Sequence, residues 1–245
     1  MTWSIIARDP NTAQFGIAIA SRFFAVGAMC IWSEGGIGAV CTQALMNPLL
    51  GPRGLALLGE GLRPGDICDI LITGDEGRDQ RQVHLMDTTG ASAAHTGRRC
   101  IDWCGHERAE NISVAGNMLA GPEVVAKTLS TYRDRSELAM VDRLVAAMAA
   151  GEAAGGDKRG RQSAALLVQG PEPYPRLSLR VDDHGDPLAE LGRLHEVAKE
   201  RFLPFSLAFP TADRPYGILD RQRLEKIIER EAGKPLAGPV EIPED

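Results

Sequence analysis

The sequence predicts an α+β protein built as a four-layer αββα sandwich of two antiparallel sheets. Three observations favour this class. Strand-like segments come in antiparallel pairs, two helical blocks separate those pairs, and no strand alternates with a crossover helix. Two facing sheets with helices outside each would bury every apolar face, although other α+β arrangements satisfy the same pattern.

The predicted strands are short apolar runs that turn-forming residues separate. Paired strands are expected at 2–7 and 15–20, 28–32 and 37–41, 82–87 and 91–96, and 164–168 and 177–181. The first pair is joined by Asp9-Pro10-Asn11-Thr12, which supplies turn chemistry, so the chain opens with a hairpin.

The predicted helices begin at residues that suit a first helical turn. Pro52 and Pro64 tolerate the missing N–H there, and Ser136 and Asp186 are suitable N-caps. Helices are therefore expected over about 52–60, 64–73, from Pro122, 136–150, 187–202 and 219–232. Prolines interrupt the chain after residue 202, which predicts a main domain at 1–202 and an appendage at 203–245, made of a proline-rich linker, one helix and a flexible tail.

Composition excludes several classes of function. The 245 residues are 44% hydrophobic, enough for a sizeable core, and the formal net charge of −6 disfavours nucleic acid and anionic membranes as partners. No apolar run has the length of a membrane span, and Arg8 and Asp9 interrupt the region where an export signal would be apolar. Five cysteines fit a reduced compartment, so we expect a cytoplasmic protein. The apolar stretch Leu203 to Phe209 suggests a homodimer contact.

Thr2 is a candidate nucleophile because a small second residue permits removal of the initiator Met1. The exposed residue would carry a hydroxyl and a free α-amine, whose pKa of about 7.7–8.0 leaves part of it unprotonated near neutral pH. That amine accepts the proton of the hydroxyl, so one residue supplies both nucleophile and base. The simpler alternative is that Thr2 only begins a strand.

Several other sequence segments help to decide whether Thr2 is a nucleophile or only begins a strand. The segments, in chain order between about residues 2 and 195, are MTWSIIARDP, GIAIASRF, GAVCTQA with NPLLGPRGL, GRDQRQV, CIDWCGH, GNMLAGPEVV, GGDKRGRQSAALLV and LRVDDHGDP. Together they resemble the bacterial and archaeal family known as domain of unknown function 1028. The resemblance implies the superfamily of N-terminal nucleophile (Ntn) hydrolases and its αββα fold.

Similarity to proteasome-like members of that superfamily implies roles for further residues. Their second strand ends much as Ala20-Ser21-Arg22 does here, and the resemblance implies that Arg22, or alternatively Arg8, provides positive charge near the nucleophile. Asp157 and Ser163 resemble the acid and serine that hold the terminal amine. Ala115-Gly116-Asn117 resembles a loop beside the nucleophile. The sequence departs from their pattern in having no lysine before Lys127 and no acid in the second-strand motif.

Thr42 is an internal alternative, because Gly36 to Thr42 resembles the strand on which isoaspartyl peptidases expose a threonine by self-cleavage. We prefer Thr42 and Gln43 as residues that line the site where a strand meets a helix, with backbone N–H groups available to an oxyanion. The predicted substrate-binding set is Ser21, Thr42, Gln43, Gly116 and Asn117.

The preferred hypothesis is thus an Ntn-type amidohydrolase that cleaves an amide or isopeptide bond in a small molecule or peptide. Thr2 forms the acyl-enzyme, Arg22 stabilises charge, and Asp157 and Ser163 position the amine. The chemistry needs no metal and no organic cofactor. The alternative is a non-catalytic ligand-binding protein on the same scaffold.

A third hypothesis is a metal site in Cys100-x3-Cys104-x-His106. Zinc sites usually show a tighter cysteine pair and a second pair elsewhere, which favours partly buried thiols beside Trp103.

Overall fold

The protein consists of two antiparallel sheets packed face to face, with helices on both outer sides. The computed structural model describes residues 2–235. A six-stranded sheet has the order β10-β9-β2-β1-β8-β7, and a four-stranded sheet has the order β3-β4-β5-β6. The strands are β1 (Thr2–Arg8), β2 (Phe15–Ser21), β3 (Ile31–Glu34), β4 (Gly38–Ala44), β5 (Arg81–Asp87), β6 (Ser92–Thr96), β7 (Gly105–Ala109), β8 (Ile112–Asn117), β9 (Ser163–Gln169) and β10 (Pro175–Val181).

The helices form the two outer layers, which confirms the predicted αββα sandwich. They are α1 (Leu50–Gly59), α2 (Pro64–Thr73), α3 (Glu123–Asp134), α4 (Met140–Ala153), α5 (Pro187–Glu200), α6 (Phe202–Ser206) and α7 (Arg221–Glu231). The first two cover the four-stranded sheet, whereas α3, α4 and α5 cover the six-stranded sheet.

Alternation along β1 shows how the sequence divides its side chains between the layers. Trp3, Ile5 and Ala7 face the helices and are almost completely buried among residues of α3 and α4. Ile6 faces the other way, into a smaller apolar cluster between the sheets. Full burial of a large apolar side chain contributes about 1.5–3 kcal/mol, so the helix-facing residues are a main source of stability.

Several predicted elements differ from the structure in their limits. Residues 115–117, expected as a loop, belong to β8, and β7 pairs with residues 112–116 of this strand although no strand was predicted at 105–109. Ser136 is not an N-cap, because the chain first makes a turn in which the Leu138 N–H donates to the Arg135 carbonyl. Helix α4 therefore begins only at Met140.

The segment after residue 202 is connected to the main body. Leu203 is buried in the same core as the strands of the six-stranded sheet. Arg201 and Glu225 form an ion pair of 2.7 Å between the end of α5 and α7. Most of the tail that was predicted after the last helix, residues 236–245, lies outside the described residues. No helix within residues 2–235 is long and apolar enough to cross a membrane.

The stretch Leu203 to Phe209 uses part of its apolar surface within the chain. The Phe209 ring makes edge-on contacts with Tyr174, Phe202 and Phe205, at centroid separations of 5.6–6.4 Å. Phe202 and Phe205 keep exposed edges, with 44% and 38% of their surface accessible. The dimer contact stays a prediction.

Candidate active site

Four polar residues form a row across adjacent strands at one end of the six-stranded sheet. Thr2 on β1 is directly opposite Asn117 on β8 and Ser21 on β2, and Ser21 is opposite Ser163 on β9. Residues directly opposite each other in antiparallel strands project from the same face of the sheet. The alternation along β1 places this row on the face that looks toward the four-stranded sheet.

Thr2 is held within this row by its side chain and by its carbonyl. Its hydroxyl oxygen lies 3.1 Å from that of Ser21. Asn117 Nδ2 and Gln43 Nε2 lie 3.4 and 3.5 Å from the Thr2 carbonyl oxygen, at the long end of hydrogen-bonding distance. Both strands that flank β1 and one strand of the opposite sheet therefore fix the position of Thr2.

Two buried glutamines from the four-stranded sheet extend this contact into a network. Gln43 Nε2 donates to the Ala115 carbonyl at 3.1 Å, and Gln82 Nε2 donates to the Gly116 carbonyl at 2.8 Å. A carbonyl only accepts, so these bonds define which end of each amide is nitrogen. Gln82 Oε1 then accepts from Gln43 at 2.8 Å and from Asn117 at 3.0 Å.

His84 joins the network as a neutral ring. The Ser4 hydroxyl donates to Gln43 Oε1 at 2.7 Å, so its only proton is used and His84 Nε2, 2.8 Å away, must be the donor to Ser4. Nδ1 is then the acceptor for Ser113, whose hydroxyl lies at 2.9 Å. Burial, with a smaller contribution from nearby His106, lowers the pKa of His84 to about 3. This Ser–His pair is a structural connection between the sheets, because the ring nitrogen that faces Ser4 carries its proton.

Asp157 and Ser163 both bind the backbone of the loop that follows β2. The Arg22 N–H donates to Asp157 Oδ2 at 2.7 Å. The Ser163 hydroxyl donates to the Phe23 carbonyl at 2.5 Å and accepts from the Val26 N–H at 3.1 Å. The two side chains thus fix the loop that begins next to Ser21. Their role at the Thr2 amine stays a prediction.

The Arg22 guanidinium donates to the Arg161 carbonyl at 3.2 Å, so it lies along the loop before β9. The same carboxylate that accepts from the Arg22 backbone also accepts from the N–H and the guanidinium of Arg159, at 2.9 and 3.3 Å. Arg159 and Arg161 are both ion-paired, with Asp157 for the first and with Glu152 and Asp186 for the second. The assignment of charge stabilisation to Arg22 stays a prediction.

The structure separates Gln43 from Thr42. Side chains alternate along β4, so Gln43 faces Thr2, whereas Thr42 shares the opposite face with Val40, beneath α1 and α2. The Thr42 N–H donates to the Cys30 carbonyl at 2.9 Å, and its hydroxyl donates to the Asn47 carbonyl at 3.2 Å. The expectation that Thr42 lines the site with a free N–H is corrected, because strand alternation turns it away from Thr2.

Gly116 contributes to the site through its backbone. It is opposite Trp3 on β1, and its carbonyl accepts from Gln82. A Cβ at this position would lie 2.4 Å from Leu119 Cδ1, so glycine allows the chain after β8 to pack closely here.

An open cavity of about 220 Å³ lies beside the row, and Asn117 forms part of its wall. Ala44 and Met118 line the same cavity and directly follow Gln43 and Asn117 along the chain. Both have left-handed backbones, with φ of 69° and 54°, which is uncommon for residues other than glycine. Such strain is concentrated at functional sites, where the surrounding structure maintains it.

The proposed cysteine–histidine metal site is not assembled. Within residues 2–235 the thiols of Cys100 and Cys104 and the ring of His106 do not converge on one point. Instead Cys104 Sγ lies 3.6 Å from the Cys100 carbonyl oxygen, and His106 Nδ1 lies 2.9 Å from Thr96 Oγ1. Burial raises the pKa of Cys104 to about 11, so its thiol stays protonated near neutral pH.

A different group, Asp142, His195 and Glu196, does bring three potential ligand atoms within 4.8 Å of one another. The Lys199 ammonium lies 2.7 Å from Glu196 Oε1 and 3.6 Å from Asp142 Oδ1. It therefore already supplies the positive charge that a cation would bring.

Sequence reasoning missed the residues that connect the sheets, namely Ser4, Gln82, His84, Thr96 and Ser113. A signal that could have identified them is present in the alternation of side chains along β1 and β5. On β5, Met86 is followed toward the site by His84 and Gln82 on one face, and on β1, Ile6 is followed by Ser4 and Thr2. Both inward faces change from apolar to polar in the direction of the site.

The chain is similar to a protein family and to solved structures. The sequence profile of a family described as a family of unknown function (DUF1028) matches residues 2–191. A crystal structure of a protein from Silicibacter pomeroyi, attributed to the same family, is 31% identical and superimposes with a TM-score of 0.83, covering 90% of this chain and 96% of that one. Anbu (ancestral beta-subunit) from Yersinia bercovieri is 11% identical with a TM-score of 0.38, covering 78% of this chain and 91% of that one. No curated protein matches the sequence.

Proposed function

We propose that this chain, which belongs to the family of unknown function DUF1028, is an amidohydrolase whose nucleophile is Thr2 after removal of Met1. One observation carries the proposal. The Thr2 hydroxyl lies 3.1 Å from Ser21 Oγ, in a row of polar side chains that adjoins an open cavity through Asn117. The side-chain nitrogens of Asn117 and Gln43 also lie 3.4 and 3.5 Å from the Thr2 carbonyl oxygen.

The reaction proceeds through an ester of Thr2. The hydroxyl oxygen attacks the carbonyl carbon of an amide or isopeptide bond, and the free α-amine of Thr2 takes the hydroxyl proton. The same proton is then given to the leaving nitrogen as the C–N bond breaks. Water attacks the ester with the amine as base, which releases the carboxylic acid and restores Thr2.

The neighbouring residues position the nucleophile and stabilise charge in this proposal. Ser21 orients the Thr2 hydroxyl, and Arg22 supplies positive charge to the tetrahedral intermediate. Asp157 and Ser163 hold the loop after β2 by the contacts described above and position the amine when it is exposed. Gln43 and Asn117 fix the carbonyl of Thr2, which limits rotation of the nucleophile.

The cavity suggests the shape of the substrate. Its wall combines the apolar side chains of Leu45, Ile101 and Met118 with the polar side chains of Gln80 and Arg99. An amide whose acyl part is largely apolar, with one polar or acidic group near Arg99, fits that lining.

The proposal is tested by the N-terminus and by a covalent probe. We expect mass spectrometry of the protein from its native host to show a chain that starts at Thr2. A β-lactone or another acylating probe should label that residue, and small amides should be hydrolysed. Thr2→Ala should abolish labelling and hydrolysis, and Thr2→Ser should retain part of both. Thr89→Ala, in the turn between β5 and β6, serves as the matched control and should behave as wild type. Activity in Thr2→Ala equal to wild type would refute the proposal.

A ligand-binding protein without chemistry is the second candidate. It is favoured by three side chains that already have backbone partners, since Asp157 and Ser163 bind the loop after β2 and Arg22 binds the loop before β9. This candidate predicts that the probe labels folded protein no more than heat-denatured protein. It also predicts that wild-type protein hydrolyses none of the amides, and that Thr2→Ala and Thr42→Ala do not differ from it.

A further inference from the structure

Three residues that line the cavity of about 220 Å³ beside the proposed active site carry polar side chains, namely Gln80, Arg99 and Asn117. Within residues 2–235 neither the Gln80 side-chain amide nor the Arg99 guanidinium makes a hydrogen bond or an ion pair. Asn117 Nδ2 donates to Gln82 Oε1 at 3.0 Å, but Asn117 Oδ1 has no partner in the same part of the chain. Unused polar groups in a concave site are available to orient a ligand.

Arg99 gives this cavity a positive charge, because no other lining residue is charged among those that the structure describes. Its backbone N–H donates to the Asp79 carbonyl at 2.7 Å, which fixes the point where the side chain begins. The side chain is exposed, so its planar fork of N–H donors can bind a carboxylate through two hydrogen bonds.

The carboxylate of Asp79 does not cancel this charge. Arg98 Nη2 and Arg98 Nε lie 2.8 and 3.0 Å from Asp79 Oδ2. The hydrogen bond from Arg98, with smaller contributions from the charges of Arg98, Arg78 and Arg99, holds the pKa of the Asp79 carboxyl below its usual range. Three guanidinium groups are therefore close to one carboxylate, which leaves an excess of positive charge beside the cavity.

The rest of the wall is mostly apolar. Leu45, Ile101 and Met118 line it, and Leu45 and Ile101 each have 57% of their surface accessible. An apolar group bound against them would remove this surface from water, which favours binding. In the proposed function the acyl part of the substrate lies on these side chains. The carboxylate that Arg99 binds then belongs to the part of the substrate that carries the amide nitrogen.

We infer that the substrate is an N-acyl amino acid with an apolar acyl group, an inference that rests on the proposed function and names the substrate class of its site. The Arg99 guanidinium and the Gln80 amide donate hydrogen bonds to the carboxylate. Asn117 Oδ1 accepts the N–H of the scissile amide. Because one carbon atom separates that nitrogen from the carboxylate, both groups reach the polar side of one small cavity.

The position of Asn117 connects this binding mode to the chemistry. Asn117 is directly opposite Thr2 in the sheet, so an amide N–H bound to Asn117 Oδ1 places the scissile carbonyl carbon near the Thr2 hydroxyl. Cleavage of the C–N bond consumes one water molecule and releases a carboxylic acid and a free amino acid. Arg99 and Gln80 determine specificity in this scheme, because they contact the substrate away from the bond that breaks.

Isothermal titration calorimetry with hexanoylglycine and hexanoylglycinamide tests the role of the carboxylate, because the two probes differ only in that group. Thr2→Ala is used so that neither probe is hydrolysed. This variant should bind hexanoylglycine about tenfold or more tightly than hexanoylglycinamide, since hydrogen bonds to charged groups are the stronger ones. Adding Arg99→Gln should remove the preference, and adding Gln80→Leu should reduce it by a smaller factor. Arg193→Gln, on exposed α5, is the matched control and should keep it.

Hydrolysis by wild-type protein separates this inference from the proposed function. The kcat/KM for release of glycine from hexanoylglycine should exceed that for hexanoylglycinamide by about tenfold or more, mainly through a lower KM. Equal hydrolysis of both probes would refute the inference and uphold the hydrolase. The expected binding preference without any hydrolysis would uphold the ligand class and refute the hydrolase. The inference is also wrong if Thr2→Ala binds neither probe or both equally, or if the preference persists in folded Arg99→Gln.

Discussion

Ser4 and His84 join the two sheets of the sandwich, with the hydroxyl oxygen of one 2.8 Å from Nε2 of the other. Both residues are completely buried, and each has a second partner, Gln43 for Ser4 and Ser113 for His84. A buried polar network is stabilising only when all of its members are satisfied. The end of the sandwich that carries Thr2 therefore depends on hydrogen bonds, whereas the other end depends on apolar contacts such as those of Ile6 and Met86.

Stability should depend on the protonation of His84. Burial keeps its pKa at about 3 in the folded protein, compared with 6.5 for an unperturbed ring. Between these two values the unfolded chain binds a proton that the folded chain does not, so stability is lost as pH falls, by at most about 1.4 kcal/mol per pH unit. Urea unfolding of wild type and His84→Gln at pH 7, 6 and 5 measures this. The glutamine variant should show the shallower slope, and equal slopes would contradict the assignment.

Gln82 should be essential for folding stability. Its two N–H groups are shared among Thr96 Oγ1 and the carbonyls of Gly105 and Gly116, and its oxygen accepts from two further side chains. Gln82→Leu leaves several buried groups without partners, so the free energy of unfolding should fall by about 3 kcal/mol or more. Gln222→Leu on the exposed face of α7 should change it by less than about 0.5 kcal/mol. Denaturant unfolding compares the two, and a similar loss in both would refute the claim.

Gly151 should be required for the close packing of α4. A Cβ at this position would lie 2.3 Å from Thr128 Oγ1 and 3.0 Å from Trp3 Nε1, so Gly151→Ala should cost about 1–3 kcal/mol. Gly192 on α5 has open space around it, and Gly192→Ala should stabilise the protein by about 0.4–1 kcal/mol. Thermal unfolding should therefore shift in opposite directions for the two variants. A shift in the same direction would show that packing at Gly151 is not the cause.

Asp157 should control the order of the loop after β2. Its carboxylate accepts the N–H groups of Arg22 and Arg159, and Asp157→Asn would turn an amide donor toward at least one of them. We expect faster hydrogen exchange in a peptide covering residues 21–28, measured by mass spectrometry. Asp183→Asn, an exposed counterpart, should leave that peptide unchanged. Unchanged exchange in Asp157→Asn would mean that Ser163 alone holds the loop.

The sequence indicated most elements through periodicity and turn chemistry, which are local properties. The hairpin of β1 and β2, the proline starts near α1 and α2, and the Asp186 cap of α5 all follow from residues close together in the chain. The strand β7 was missed because its sequence GHERA is polar and half-exposed, and its pairing with β8 rather than its own composition makes it a strand.

The sequence predicted only part of the candidate site, because local patterns do not show which residues of distant strands meet. Asn117 was selected by resemblance and Gln43 by its place where a strand meets a helix, and their side-chain nitrogens lie 3.4 and 3.5 Å from the Thr2 carbonyl oxygen. Thr42, the neighbour of Gln43, was selected with it although strand alternation sends the two side chains to opposite faces. Gln82 and His84 come from a strand about forty residues further along the chain, and no local pattern assigns them to Thr2.

The sequence by itself determined the paired strands and amphipathic helices and narrowed their packing to a few layered α+β arrangements, because each element must bury its apolar face. It also determined that a hydroxyl residue stands second in the chain. Only the tertiary structure decided which polar side chains meet. Contacts such as that of Gln82 with Gly116 join distant parts of the chain, and their geometry depends on the register of four strands and on the way two sheets face each other.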